Sequence, residues 1–219
     1  MDYKKISRNF SLKLFFVIVC VATLAISLQP ITNSSMVSAR AVASRGFQFP
    51  IGAPRTGSVV NQHFGSGWDA AHKGHLGTDF KGTEGTDVFL AADAKITYSG
   101  YDGASWGNVI IAEHDTKSWG WDKTVWSMYA HIKPEPIVKV GAMLPRGTKI
   151  AKVGPKALGS TAPHLHFEIR SGTAAWWRSG PGYSGFTFNY SPLYGSAINS
   201  KWSNLVWYNA YQTVFNNLY

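Results

Sequence analysis

From Phe47 to Gly172 the chain is punctuated too often for helices. Short β-prone runs (Asp87-Val-Phe-Leu-Ala, Lys95-Ile-Thr-Tyr-Ser, Asn108-Val-Ile-Ile-Ala, Val125-Trp-Ser-Met-Tyr and Lys149-Ile-Ala-Lys-Val) alternate with Gly, Asp and Asn turns. No helical apolar period lasts beyond a couple of turns before residue 200, so the pattern predicts an all-β fold, an antiparallel sheet or sandwich. With 219 residues, 45% of them hydrophobic and 15% charged, the chain can build one core with an extension and is too apolar to stay disordered.

The first residues read as an address. Lys4, Lys5, Arg8 and Lys13 precede an uncharged apolar run from Leu14 to Leu28, which Gln29-Pro30 breaks. A basic start, a run shorter than the ~20 residues a bilayer crossing needs, and small residues beyond it predict a secretory signal peptide over 1–39. Cleavage is expected after Ala39, or after Ala43, leaving a short linker over 40–46. The single cysteine, Cys20, lies inside the run, so the exported protein would carry neither thiol nor disulfide. No stable membrane association is expected after removal of the signal. The formal net charge of +9 predicts anionic company, but the bases are scattered and form no run, which argues against nucleic acid.

Residues 163–170 read Pro-His-Leu-His-Phe-Glu-Ile-Arg. On a strand, Leu165, Phe167 and Ile169 share one face, and His164, His166, Glu168 and Arg170 share the other. Imidazoles two residues apart lie roughly 7 Å apart along that strand, so one can hold a metal while the other reaches a bound water or substrate. His75-Leu76-Gly77-Thr78-Asp79 adds a histidine and a carboxylate. A straight strand would hold those two about 13 Å apart, too far to share an ion at about 2 Å, and Gly77 with Thr78 disfavours a helix. The segment is therefore expected to bend, with Gly77 as the residue that permits it. One histidine and one aspartate here, with one histidine from the later strand, make three ligands and an open fourth vertex. That is the pattern of catalytic zinc, whereas structural zinc is closed and usually thiolate-rich. Of the remaining histidines, His131 after Met128-Tyr129-Ala130 reads on its own as a turn residue, His63 and His72 as groove or loop residues, and His114 as surface.

Taken together and in this order, His75…Asp79, Tyr129-Ala130-His131 and His164-Leu165-His166 resemble the pattern of the lysostaphin-type, or LytM-like, zinc endopeptidases, which cut peptide bonds in bacterial peptidoglycan. Phe64-Gly65, Gly85-Thr86, Gly107-Asn108 and Val138-Lys-Val-Gly141 resemble the connecting segments of that family over roughly 47–172. The resemblance implies a β-fold with a narrow groove, of the duplicated hybrid motif type, and one Zn2+ held by His75, Asp79 and His166. It implies catalytic roles for His131 and His164, acting on the water and the developing oxyanion, in an order the sequence leaves open. Glu168, on the face of His166, is a candidate to orient an imidazole. The expected activity is that of a secreted, wall-associated monomer hydrolysing cross-bridge or stem peptides, with anionic wall polymers as further partners. The alternative is a non-catalytic wall-binding or regulatory module on the same fold.

Residues 173–219 hold Arg178 and Lys201, no acid, and many aromatics, among them Trp176, Trp202, Trp207 and Tyr211. An aromatic-rich extension that packs back on the domain is expected, a wall-binding extension being the other reading. Trp207, Tyr211, Val214, Phe215 and Leu218 also suggest a terminal helix over 200–219.

Overall fold

The strand signals become strands because each apolar run finds an antiparallel neighbour. The computed structural model describes residues 46–66, 74–121, 124–157, 160–171, 186–190, 195–199 and 202–218. The expected signal peptide, its cleavage sites, His72 and Trp176 lie outside the described residues. In chain order the strands are β1 (Val60–Gln62), β2 (Thr78–Lys81), β3 (Asp87–Phe89), β4 (Ala94–Tyr101), β5 (Asn108–His114), β6 (Val125–Lys133) and β7 (Met143–Leu144). They continue as β8 (Lys149–Val153), β9 (His164–Ser171), β10 (Phe186–Tyr190), β11 (Gly195–Asn199) and β12 (Trp202–Tyr208), followed by helix α1 (Ala210–Asn216). Every ladder between these strands is antiparallel, as expected.

The main path runs β10-β11-β12-β9-β6-β5-β4-β7. Strand β9 is central. One of its edges pairs with β6, from Val125↔Ser171 to Ala130↔His166. The other edge is shared: β2 covers its first half, from Lys81↔His164 to Thr78↔Phe167, and β12 its second, from Tyr208↔Ile169 to Val206↔Ser171.

Both faces of the middle strands are covered. Ile110, Ala112, Val125, Tyr129, Leu165, Phe167 and Ile169 enter the main core with Phe47, Phe49, Phe80 and Val214. Val109, Ile111, Trp126, Met128 and Ala130, the alternate residues of β5 and β6, form a second cluster with Tyr98 and Trp106 against it. Such double coverage is what continuous apolar runs encode. It also buries the second face of β9: His166, Glu168 and Arg170 are each no more than 3% exposed.

The expectation of a helix over 200–219 needs correction. Trp202–Tyr208 is a strand on the edge of β9, and the helix is confined to Ala210–Asn216. Aromatic and β-branched residues suit a pleated edge, and Asn209 starts the helix by accepting the Gln212 N–H at 3.1 Å. Ala210 and Val214 insert into the main core.

His114, expected at the surface, is fully buried. Its Nδ1 lies 3.0 Å from the Asp93 carbonyl, which only accepts, so Nδ1 carries the proton and Nε2 accepts from Ser127 Oγ at 2.8 Å. Ser127 Oγ in turn lies 3.1 Å from Tyr129 Oη, and Tyr129 Oη takes the Ala91 N–H at 2.9 Å. The imidazole is thus used in its neutral form, and burial pushes its pKa down to about 4 against a help from Asp93. The unfolded chain takes up this proton below its ordinary value of 6.5, whereas the folded chain resists until about 4. Stability from this group is therefore complete above pH 6.5 and lost as pH falls towards 4, by about 3 kcal/mol. Urea unfolding of wild type and His114→Gln across that range should give curves that converge on acidification; parallel curves would refute the assignment.

Candidate metal centre

Three ligand-bearing residues come together for separate local reasons. Asp79 and His166 are direct cross-strand partners in the β2–β9 ladder, which sets their side chains on one face. His75 lies before β2, where its N–H donates to the Ser66 carbonyl at 3.0 Å and its carbonyl accepts the Gly65 N–H at 2.6 Å. The segment leaves the strand before Thr78, so the expected bend is present. Gly77 lies at that bend and has a further role. A Cβ there would lie 2.7 Å from His166 Cε1, from His166 Nε2 and from the Phe167 carbonyl, so glycine is needed for space against the ring.

The donor atoms form a triangle. His75 Nε2 is 3.1 Å from Asp79 Oδ1, His166 Nδ1 is 2.9 Å from the same oxygen, and the two nitrogens are 3.0 Å apart. The far nitrogens are already committed as donors. His75 Nδ1–H faces the His63 carbonyl at 3.2 Å, and His166 Nε2–H faces Glu168 Oε1 at 3.0 Å. With those protons placed, the rings in their neutral form would direct two lone pairs and a carboxylate oxygen at one common point in a buried site, an arrangement that suits a cation at its centre. A tetrahedral zinc with ligands about 2.0–2.1 Å away spaces them ~3.3 Å apart, so the donor set and its size both fit the ion. Among the described residues, His75, Asp79 and His166 form the one group arranged to hold a metal.

The same electrostatics shift the proton affinities of the site. Burial opposes a charge on His166, yet hydrogen bonds and charges from Asp79 and Glu168 prevail and push its pKa up to about 9. Burial opposes ionisation of Asp79, but His166 and His75 hold its carboxyl far below the usual range.

His164 Nε2 stands 3.4 Å from Asp79 Oδ2, and its Nδ1–H donates to the Ala162 carbonyl at 2.9 Å. His131 arrives by a bulge. Val109 pairs with Ala130 and Asn108 with Ile132, so His131 is the extra residue of β6, with φ +60°. Tyr129 and Ile132, three apart, both reach the main core because of it. The bulge re-aims the His131 ring to the metal side, where its centroid lies 4.7 Å from that of His164 and 5.8 Å from that of His166. Two backbone contacts hold this conformation: His131 N–H donates to the Trp106 carbonyl at 3.0 Å, and its carbonyl accepts the Gly154 N–H at 2.8 Å. Burial, with the charges of His166 and His164, lowers the His131 pKa to about 3.

Glu168 bridges His166 and Arg170, whose Nη1 lies 3.4 Å from Oε2. His63 offers its carbonyl while its side chain is exposed. Trp106 went unnoticed in the sequence, where it sits in a Gly-rich turn directly before Gly107-Asn108.

Fold and site define a β-domain carrying a buried His-Asp-His metal centre flanked by two further imidazoles. Residues 73–176 match the model of Peptidase family M23. It is 32% identical over 117 residues to the "Murein hydrolase activator NlpD" of Escherichia coli (strain K12), covering 53% of this chain and 27% of that protein. It is 30% identical over 95 residues to an "Uncharacterized metalloprotease" of Haemophilus influenzae, covering 43% of this chain and 18% of that protein. The chain thus spans about a quarter or less of these relatives' length. Among solved structures, the catalytic domain of lysostaphin from Staphylococcus simulans is similar at 27% identity, over 53% of this chain and 82% of that one, with a TM-score of 0.44.

Proposed function

We propose that this protein is a secreted zinc endopeptidase that hydrolyses peptide bonds in the cross-bridge or stem peptides of peptidoglycan. The observation that carries the reading is the triangle of His75 Nε2, Asp79 Oδ1 and His166 Nδ1, with no ligand replaced and two imidazoles beside it. When bound, zinc supplies a Lewis acid that polarises a carbonyl and makes a water nucleophilic near neutral pH.

The chain's own groups divide the remaining work by tautomer. His164, with Nδ1–H committed to Ala162, presents a lone pair at Nε2 and takes the proton of the attacking water, then returns it to the leaving amine. The Nδ1 of His131 is buried and makes no hydrogen bond among the described residues. An unpaired lone pair there is cheaper than an unpaired N–H, so the proton belongs on Nε2, where it donates to the developing oxyanion. Glu168 fixes the His166 ring with Nδ1 towards the metal, and Arg170 steadies Glu168.

The net positive charge would hold the enzyme near anionic wall polymers in a salt-dependent way. A second reading, a non-catalytic activator, is favoured by the name of the E. coli relative. One experiment separates the two. The zinc-loaded protein is incubated with purified walls of several bridge types, with and without chelator, and new amino termini are sequenced. Chelator-sensitive termini are expected; bound zinc with no new termini on any wall would leave the activator reading.

A further inference from the structure

Three of the four imidazoles at the centre have their rings fixed by a hydrogen bond from the nitrogen facing away from Asp79. His75 uses the His63 carbonyl, His164 the Ala162 carbonyl and His166 the Glu168 carboxylate. His131 differs: its Nδ1 is buried without a hydrogen bond among the described residues. What it has is the indole of Trp106, stacked at a centroid distance of 6.1 Å and an interplanar angle of 14°. The same indole meets the His166 ring edge-on, at 5.2 Å and 65°.

Trp106 is well placed to be rigid. Its turn is closed by Asp102 N–H to the Gly107 carbonyl and by Gly107 N–H to the Gly103 carbonyl, each at 2.8 Å. Gly103 and Gly107 both have positive φ, which glycine adopts without strain. The indole packs on the second cluster, the one formed by Val109, Ile111, Trp126, Met128 and Ala130. The Trp106 carbonyl also takes the His131 N–H and so supports the left-handed backbone of the bulge.

We infer that Trp106 is the positioning residue for His131, an aromatic platform that does for this ring what an oriented hydrogen bond does for the other three. Offset stacking within this distance range is attractive and directional, and it leaves the ring free in the axis along which Nε2 must donate. The inference rests on the endopeptidase reading for its kinetic consequence, but the placement itself does not. Displacing a catalytic group by about 1 Å lowers turnover on the order of 100-fold.

The test uses the zinc-loaded protein with Trp106→Phe, Trp106→Leu and Trp106→Ala. The ring-proton resonance of His131, identified by its loss in His131→Gln, is expected upfield from the indole ring current in wild type. It should remain partly shifted with Phe and move to an ordinary imidazole position with Leu and Ala. On wall substrate, kcat should fall roughly 10- to 100-fold with Leu and Ala, with KM and zinc content unchanged, and recover to within a few-fold with Phe. A His131 resonance that ignores all three substitutions overturns the inference. So does an equal loss in all three accompanied by loss of zinc, which is the mark of general packing. Should wild type cut no wall, the endopeptidase reading fails and the resonance alone still decides the placement of His131.

Discussion

Gly77→Ala is expected to empty the metal centre while leaving every ligand in the sequence. The added methyl would sit 2.7 Å from two atoms of the His166 ring and from the Phe167 carbonyl. The carbonyl belongs to the central strand and cannot retreat, so the ring must. Overpacking of this kind costs about 1–3 kcal/mol in stability. The larger effect falls on the metal, because turning His166 breaks both its approach to Asp79 Oδ1 and its bond to Glu168. Loss of an orienting partner alone weakens metal binding about 10–100-fold, and displacement of a ligand should exceed the upper figure. Zinc content after dialysis against a buffered competitor, alongside a thermal melt, measures both. Wild-type affinity in the variant would show that the ring can be accommodated elsewhere.

His164→Ala should behave in the opposite way, keeping the metal and losing the chemistry. The ring is beside the triangle and outside it, with Nε2 3.4 Å from the second oxygen of Asp79. Removing a general base lowers turnover by about 10²–10⁴-fold. Zinc stoichiometry should remain at wild-type level and KM should shift little, since no substrate-binding group is removed. Loss of zinc from this variant would move His164 into the ligand set and return the proton transfer to His131.

Much of the architecture was legible because it is written locally. The runs at 87, 95, 108, 125 and 149 are β-prone and bounded by turn residues, and each became a strand. The ligands were legible because chemistry limits the choice: a histidine and a carboxylate near a glycine, and a second histidine on a strand face, leave few other uses. What escaped depends on partners distant in sequence. His114 reads as a polar strand end until Asp93 and Ser127 close around it. The helix expected over 200–219 shortened because β9 offered β12 an unpaired edge. Trp106 and the bulge at His131 escaped together, since a one-residue insertion in a ladder shows only when both strands are seen.

The N–H of Phe47 bonds the Asn217 carbonyl at 2.9 Å, and Phe47 forms a parallel bridge with Leu218. Leu165 and Phe167, which flank the metal-binding His166 on the strand, share their core with Phe47 and with Ala210 and Val214. Such closure between the two ends of the described residues raises the contact order, and folds rich in contacts of this kind form slowly. The strand that carries His166 thus shares its core with segments from both ends of the described residues.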